Sequence, residues 1–152
     1  MPPQTPPEQI EANTLDDYLE VMSKVVFQSG MSWKVVEAKW PSTREAFYNF
    51  DTEKIADMVE PEIEQLAQDT RVIRNRRKLA AIVSNAQKLI ELEKEHGTFR
   101  KYLRSHGSFD ATLKALKRDF KFMGPSGIYY FLYVVKETVP PHQEFEAIYK
   151  KK

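Results

Sequence analysis

Residues 116–125 read Leu116-Lys117-Arg118-Asp119-Phe120-Lys121-Phe122-Met123-Gly124-Pro125. They join two segments of different character. Before them, Ser108 can cap an amphipathic helix over 111–120. After them, Pro125 suits the first turn of a helix, and Ile128-Tyr129-Tyr130-Phe131-Leu132-Tyr133-Val134-Val135 is apolar nearly all round, as a central buried helix is. Pro140-Pro141 ends that helix. Residues 111–138 therefore predict a helical hairpin closed at 121–124, with Gly124 expected to supply a positive φ. The amides around Gly124, Ser126 and Gly127 have no partner inside the second helix and carry the positive end of its dipole. Such a turn can hold a phosphate oxygen, with Lys114, Lys117, Arg118 and Lys121 as nearby cations. An ordinary hairpin of a helical bundle fits the same pattern.

Working outward, helix signals follow one another. Thr14 and Asp17 form a cap for a helix reaching about Gln28, and Ser29-Gly30 breaks it. Ser32 opens a short helix holding Trp33, Val36 and Trp40, which Pro41 is expected to end. Ser42 and Glu45 fit a capping box for another short helix. Asp51 caps the next, and Glu60-Pro61 starts one more. The longest runs from about Asn75 to His96, with Leu79, Ile82, Val83, Ala86, Leu89 and Ile90 as its apolar stripe and Gly97 past its end. A short helix holds Phe99, Tyr102 and Leu103, and a final amphipathic turn covers Gln143–Tyr149. No strand pattern appears. The predicted class is all-α: a mobile proline-rich arm over 1–13, which holds four of the nine prolines, then one helical domain over 14–152.

The chain has 152 residues, 41% of them hydrophobic and 30% charged. That is ample for a buried core. With no cysteine, disulfides, thiolate metal sites and a cysteine nucleophile are excluded. His96, His106 and His142 are too scattered for a metal site by spacing. The apolar runs are too short for a bilayer, and no secretory leader is legible. The reading is a cytoplasmic monomer without cofactor or metal.

The net charge of +1 conceals an asymmetry: residues 1–69 balance to −9, residues 70–125 to +9 and residues 126–152 to +1. A basic segment of this kind can engage a polyanion. Its densest part, Arg71, Arg74, Arg76, Arg77 and Lys78, crowds a helix N-terminus against the dipole preference. An anionic partner would relieve that conflict, as would neutralisation by Glu60, Glu62 and Glu64. Trp33 fits either a core anchor or a stacking platform for a flat heterocycle or cation.

Taken in order, several stretches resemble the DNA-3-methyladenine glycosylase I family of the helix-hairpin-helix DNA glycosylase superfamily. They are Ser29-Gly30-Met31-Ser32-Trp33, Phe47 through Phe50-Asp51, Val72 through Leu79, Ser84-Asn85-Ala86, Phe99 through Leu103, and Leu116 through Pro125. The resemblance spans roughly residues 14–139. It implies a helix-hairpin-helix glycosylase fold, double-stranded and alkylated DNA as partner, and excision of a flipped alkylated purine by hydrolysis of its N-glycosidic bond. The cationic purine is already a good leaving group, so little acid catalysis is needed.

By match, Trp33 with Gln28 and Met31 would line the base pocket. Gly124, Ser126, Gly127, Lys121, Arg74, Arg76, Arg77 and Lys78 would hold DNA phosphates. The departures are specific. The family's base-recognising glutamate falls at Val25. Its N-terminal pocket segment, with a tyrosine and two zinc ligands, has no counterpart. His142 matches a zinc-ligating histidine, but Glu146 stands where the family has cysteine, so no structural zinc is expected. The catalytic aspartate that other helix-hairpin-helix glycosylases place downstream of the hairpin is absent. Glu144 and Glu137 are the nearest acidic residues, and a surface role is the favoured reading of both over a catalytic one. The reading leans to an enzyme. Its alternative is a DNA-binding descendant of the fold that has lost base excision.

Overall fold

The computed structural model describes residues 7–149, and every regular element among them is helical. In chain order these are α1 (Leu15–Gln28), α2 (Trp33–Ala46), a 3-10 turn (Tyr48–Phe50), α3 (Thr52–Ala56), α4 (Glu60–Leu66), α5 (Arg76–His96), α6 (Phe99–Leu103), α7 (Phe109–Asp119), α8 (Pro125–Val134) and α9 (His142–Tyr149).

Local chemistry sets most of the boundaries. Thr14 accepts from the Asp17 N–H while the Asp17 carboxylate accepts from the Thr14 N–H, closing a capping box at α1. Asp51, Asn75, Thr98 and Ser108 each accept a backbone N–H at the start of their helices. Gly97 ends α5 at φ 91 and Gly30 turns the chain out of α1 at φ 75.

The axis of the fold is α5, against which α1, α3, α4 and α6 all pack. Leu79, Ile82, Ala86 and Leu89 form its fully buried stripe. On its far side α1 carries α8, where the rings of Tyr18 and Phe131 lie 6.3 Å apart. The sequence pointed to α8 as the central helix. Instead Ile128, Phe131, Leu132 and Val134 are buried, while Tyr129, Tyr130 and Tyr133 stay half-buried. Tyrosines, with a polar tip on an apolar body, suit that boundary.

Three local expectations are corrected. Pro41 does not end a helix: α2 runs through it from Trp33 to Ala46, and no separate capped helix begins at Ser42. The Ser42 and Thr43 hydroxyls instead turn back to the Lys39 carbonyl at 3.1 and 2.7 Å, and Ser42 also donates to the Arg71 carbonyl at 2.7 Å. These bonds hold the proline-bearing stretch against the loop before α5. Ser32 precedes α2 without a side-chain capping bond.

Second, Gly124 takes φ −91, and the left-handed residue of the hairpin turn is Phe122, at φ 59. Third, the described part of the expected mobile arm is tied down. Ile10 N–H donates to the Val134 carbonyl at 2.8 Å, Gln9 Nε2 to the Tyr133 carbonyl at 2.9 Å, and Arg100 to the Ala12 carbonyl at 2.7 Å. Residues 1–6 of that arm lie outside the described residues.

Candidate functional site

The hairpin of α7 and α8 is held by a residue that sequence reasoning gave no role. Asn85 is buried on α5, and its side-chain amide brackets the backbone of Lys121. Asn85 Oδ1 accepts the Lys121 N–H at 2.9 Å, and Asn85 Nδ2 donates to the Lys121 carbonyl at 3.2 Å. A buried amide needs such partners, and here they orient the turn. An asparagine inside the apolar stripe of the longest helix was the available signal. Beyond the turn, Phe122 is exposed and lies under the Arg77 guanidinium, 5.9 Å from the ring centre.

At the start of α8 the Ile128 N–H bonds to the Gly124 carbonyl at 2.9 Å. The N–H groups of Ser126 and Gly127 have no acceptor among the described residues. They project from the positive end of the helix, as a phosphate-binding turn requires. Lys117, Arg118 and Lys121 are exposed nearby in sequence, with Arg118 paired to Asp119 at 2.9 Å.

The basic cluster before α5 divides. Arg74 and Arg77 are exposed, with no carboxylate partner among the described residues. Arg76 is bound by both Glu60 and Glu64. Lys78 is 5% exposed, and its ammonium donates to the carbonyls of Phe27 and Ser29. Burial lowers its pKa. Lys78 thus closes the C-terminal end of α1, which has no basic residue in its own last turn. The phosphate role read for Lys78 is corrected to this one, and Arg76 reaches a phosphate only by giving up two carboxylates.

Trp33 stands at the beginning of α2, half-buried, with its ring edge-on to Tyr130 of α8 at 5.0 Å and 66°. Both rings wall an open groove of about 450 Å³, whose other walls are Glu20, Val21 and Lys24 of α1, Glu37 of α2, Val134 of α8, and Pro7, Glu8 and Ile10. The segment at residues 7–10 therefore supplies a wall where the N-terminal pocket segment had no legible counterpart. Glu37 pairs with Lys24 at 3.2 Å. Glu20 accepts the Trp40 indole N–H at 2.9 Å and the Arg44 Nε–H at 3.1 Å. The Tyr130 phenol is pushed well above its usual pKa by burial and by the charge of Glu37, so it is a neutral donor at physiological pH. Tyr130 was not singled out in sequence, because only the fold brings α8 beside α2; Glu37 was missed although its spacing of four from Trp33 on one helix was an available signal.

Other expected residues fall elsewhere. Met31 and Gln28 are half-buried at the α1–α2 turn and do not line the groove. Val25 is 4% exposed and packs into the space left by Gly127, where a Cβ would lie 2.6 Å from Val25 Cγ1. Glu137 is held bidentately by Arg104 at 3.1 and 3.0 Å, with its side chain 10% exposed. Glu144 is exposed in the first turn of α9. Neither lines the groove. His142 lies 3.8 Å from Glu146 on α9. No third His, Cys, Asp or Glu joins them among the described residues, so these donors do not fit a tetrahedral zinc site.

The arrangement is a groove with an aromatic corner and a carboxylate, four residues along α8 from the Ser126 amide, about 6 Å of helical rise. One nucleotide spans such a distance from phosphate to base. Comparison with known proteins identifies the family. The family model described as methyladenine glycosylase matches residues 12–115. DNA-3-methyladenine glycosylase 1 of Escherichia coli (strain K12) is 33% identical over an alignment covering 69% of this chain and 67% of that protein. The DNA-3-methyladenine glycosylase of Haemophilus influenzae is 36% identical, covering 69% and 68%. The solved 3-methyladenine DNA glycosylase I of Staphylococcus aureus superposes with a TM-score of 0.74 at 28% identity, over 84% of this chain and 79% of that one. The family model's match ends within α7 of the hairpin, whereas the structural match covers most of the chain, and by both measures this chain belongs to the methyladenine glycosylase family.

Proposed function

We propose that this protein is a DNA glycosylase of base-excision repair, hydrolysing the N-glycosidic bond of an alkylated purine turned out of double-stranded DNA. The observation that carries the reading is the Trp33–Tyr130 corner, with Tyr130 four residues along α8 from the free amide of Ser126. A flipped nucleotide puts its phosphate on those amides and its base against the two rings. Arg74 and Arg77 take flanking phosphates, which position the duplex without reading its sequence.

The chemistry asks little of the protein. Alkylation of a purine ring nitrogen leaves the base positively charged. When the bond from C1′ to the base nitrogen breaks, its electron pair neutralises that charge. The deoxyribose is left as an oxocarbenium ion, and water adds at C1′ with loss of a proton. The groove contributes shape, aromatic faces for the cation, and a carboxylate for the positive charge of the bound base or for the charge that develops on the sugar. Damaged bases also cost less to unstack. The protein acts as a monomer in the compartment that holds the DNA, the cytoplasm of a bacterial cell. Among the described residues no helix is long and apolar enough to cross a membrane.

The direct experiment measures free base released from methylated duplex DNA by the wild type and by Trp33→Ala. Release by the wild type and its loss in Trp33→Ala, with duplex affinity kept within about threefold, is the expected result. Tight, salt-sensitive DNA binding with no base released would instead make the protein a DNA-binding descendant of the fold. Unfolding of Trp33→Ala would place Trp33 among the core residues.

A further inference from the structure

The groove contains three carboxylates, and their surroundings separate them. Glu20 already carries a cationic partner, Arg44, together with the Trp40 indole, both on Oε2. Glu8 lies at the outer edge, exposed, on the segment before α1. Glu37 stands one turn beyond Trp33 on the same face of α2, its side chain 43% exposed, and its charge reaches the Tyr130 phenol. Trp33, Tyr130 and Glu37 thus converge on one volume, and the cation that meets Glu37 there is the Lys24 ammonium.

We propose that Glu37 is the carboxylate that recognises a positively charged purine in this groove, and that Lys24 occupies its place until the base arrives. This rests on the reading of the groove as the base pocket. Two physical consequences follow. A cationic base replaces one positive charge at Glu37 with another, so the carboxylate is never left uncompensated. A neutral purine displaces Lys24 without bringing a charge, and Glu37 is then desolvated against aromatic walls with no partner. The groove therefore discriminates against undamaged bases by charge as well as by shape. Lys24 has somewhere to go. It already lies 5.5 Å from the Trp40 ring centre, and Glu20 is one turn behind it on α1, at the spacing for a helical ion pair. The exchange of Lys24 from Glu37 to Glu20 opens the site without moving the backbone.

The test uses the full chain, with tryptophan fluorescence read against 1-methyladenosine, a cationic nucleoside, and against adenosine, its neutral counterpart. Base release from methylated duplex DNA is measured in parallel. The wild type is expected to prefer 1-methyladenosine by about tenfold or more. Glu37→Gln, isosteric and partly exposed, should bring that preference to within about twofold and slow base release at least about tenfold. Lys24→Met removes the competing cation and should tighten 1-methyladenosine binding about threefold or more, with adenosine little changed. Melting curves confirm that both variants fold. A Glu37→Gln variant that keeps both the preference and the release rate overturns the proposal while leaving the glycosylase reading intact. A wild type that releases no base from methylated DNA removes the reading and the proposal together. Equal binding of the two nucleosides by the wild type, in a protein that does release base, overturns the proposal alone.

Discussion

Gly127→Ala tests the contact on which the groove depends. A methyl at residue 127 would lie 2.6 Å from Val25 Cγ1, whereas unstrained carbon contacts sit near 3.5–4.0 Å. Either α1 and α8 part by about 1 Å, or Val25 leaves its rotamer in a site only 4% exposed. Overpacking of this kind costs about 1–3 kcal/mol, and the helical preference of Ala over Gly returns about 0.5–1 kcal/mol. The net expectation is a loss of roughly 1–2 kcal/mol, or about 0.5–1 M in the urea midpoint for a protein of this size. Val25→Ala alone should cost roughly 1–3 kcal/mol through lost burial. The two together should cost at least about 1 kcal/mol less than their sum, because the second change removes the clash made by the first. Function should follow geometry. Tyr130 rides on α8 and Lys24 on α1, so a shift of about 1 Å between the helices misplaces the groove walls and can slow base release about 100-fold. The double variant should recover much of that rate. A Gly127→Ala protein with the wild-type midpoint, or a strictly additive double variant, would show that α1 and α8 are not in the close contact described.

Two further outcomes are expected. Replacing Arg74 and Arg77 together with Ala should weaken DNA binding alike for all sequences and reduce the slope of log K against log salt by about 2. Arg76→Ala, which removes a residue already bound to Glu60 and Glu64, should leave that slope nearly unchanged; equal slope losses would return Arg76 to the phosphate set. The protein should also lose stability in mild acid. Burial and the nearby Arg118 charge lower the His106 pKa from its ordinary 6.5, so the unfolded chain binds the proton first. The stabilisation is complete above pH 6.5 and is lost as pH falls towards the folded value. Urea midpoints at pH 7 and pH 5 read this directly, and His106→Phe should narrow the gap; an unchanged gap would assign the acid sensitivity to carboxylates. Asp119 is one such group. Its burial would raise its pKa, but Arg118 and Tyr102 outweigh that and lower it, so its contribution disappears only at still lower pH.

What was legible in the sequence was what is local. Caps at Thr14, Asp51 and Ser108, the start of the longest helix at about Asn75, glycines at 30 and 97, and the stripe from Leu79 to Leu89 are each read from neighbours a few residues away, and each element lies where those neighbours put it. The failures share another origin. Pro41 was read from its own ring, but tertiary bonds from Ser42 to the Arg71 carbonyl help hold α2 beyond it. Gly124 was given the left-handed turn because glycine tolerates it most cheaply. Phe122 takes it instead, in a turn gripped by Asn85 and covered by Arg77. Lys78 looked like one of five equivalent cations, and nothing within its helix says that its ammonium meets the carbonyl ends of α1, 49 and 51 residues away. The groove fails in the same manner. Trp33 was visible, and Glu37 one turn along the same helix was within local reach, but Tyr130 and Ile10 become its neighbours only after α8 has folded onto α1.

The same contact explains why a carboxylate at position 25 and this packing exclude each other. Val25 fills the notch at Gly127, and a glutamate there would be held against α8 where the present side chain is almost wholly buried. An uncompensated buried charge costs several kcal/mol. Position 37 has the opposite setting. It is half exposed, so holding a charge costs little, and it is one turn from Trp33 with an ammonium already 3.2 Å away. A groove that must receive a cation is therefore better served by a carboxylate on α2 than on α1. Exchanging glutamate for valine at position 25 lets the α1–α8 contact close without removing negative charge from the aromatic corner.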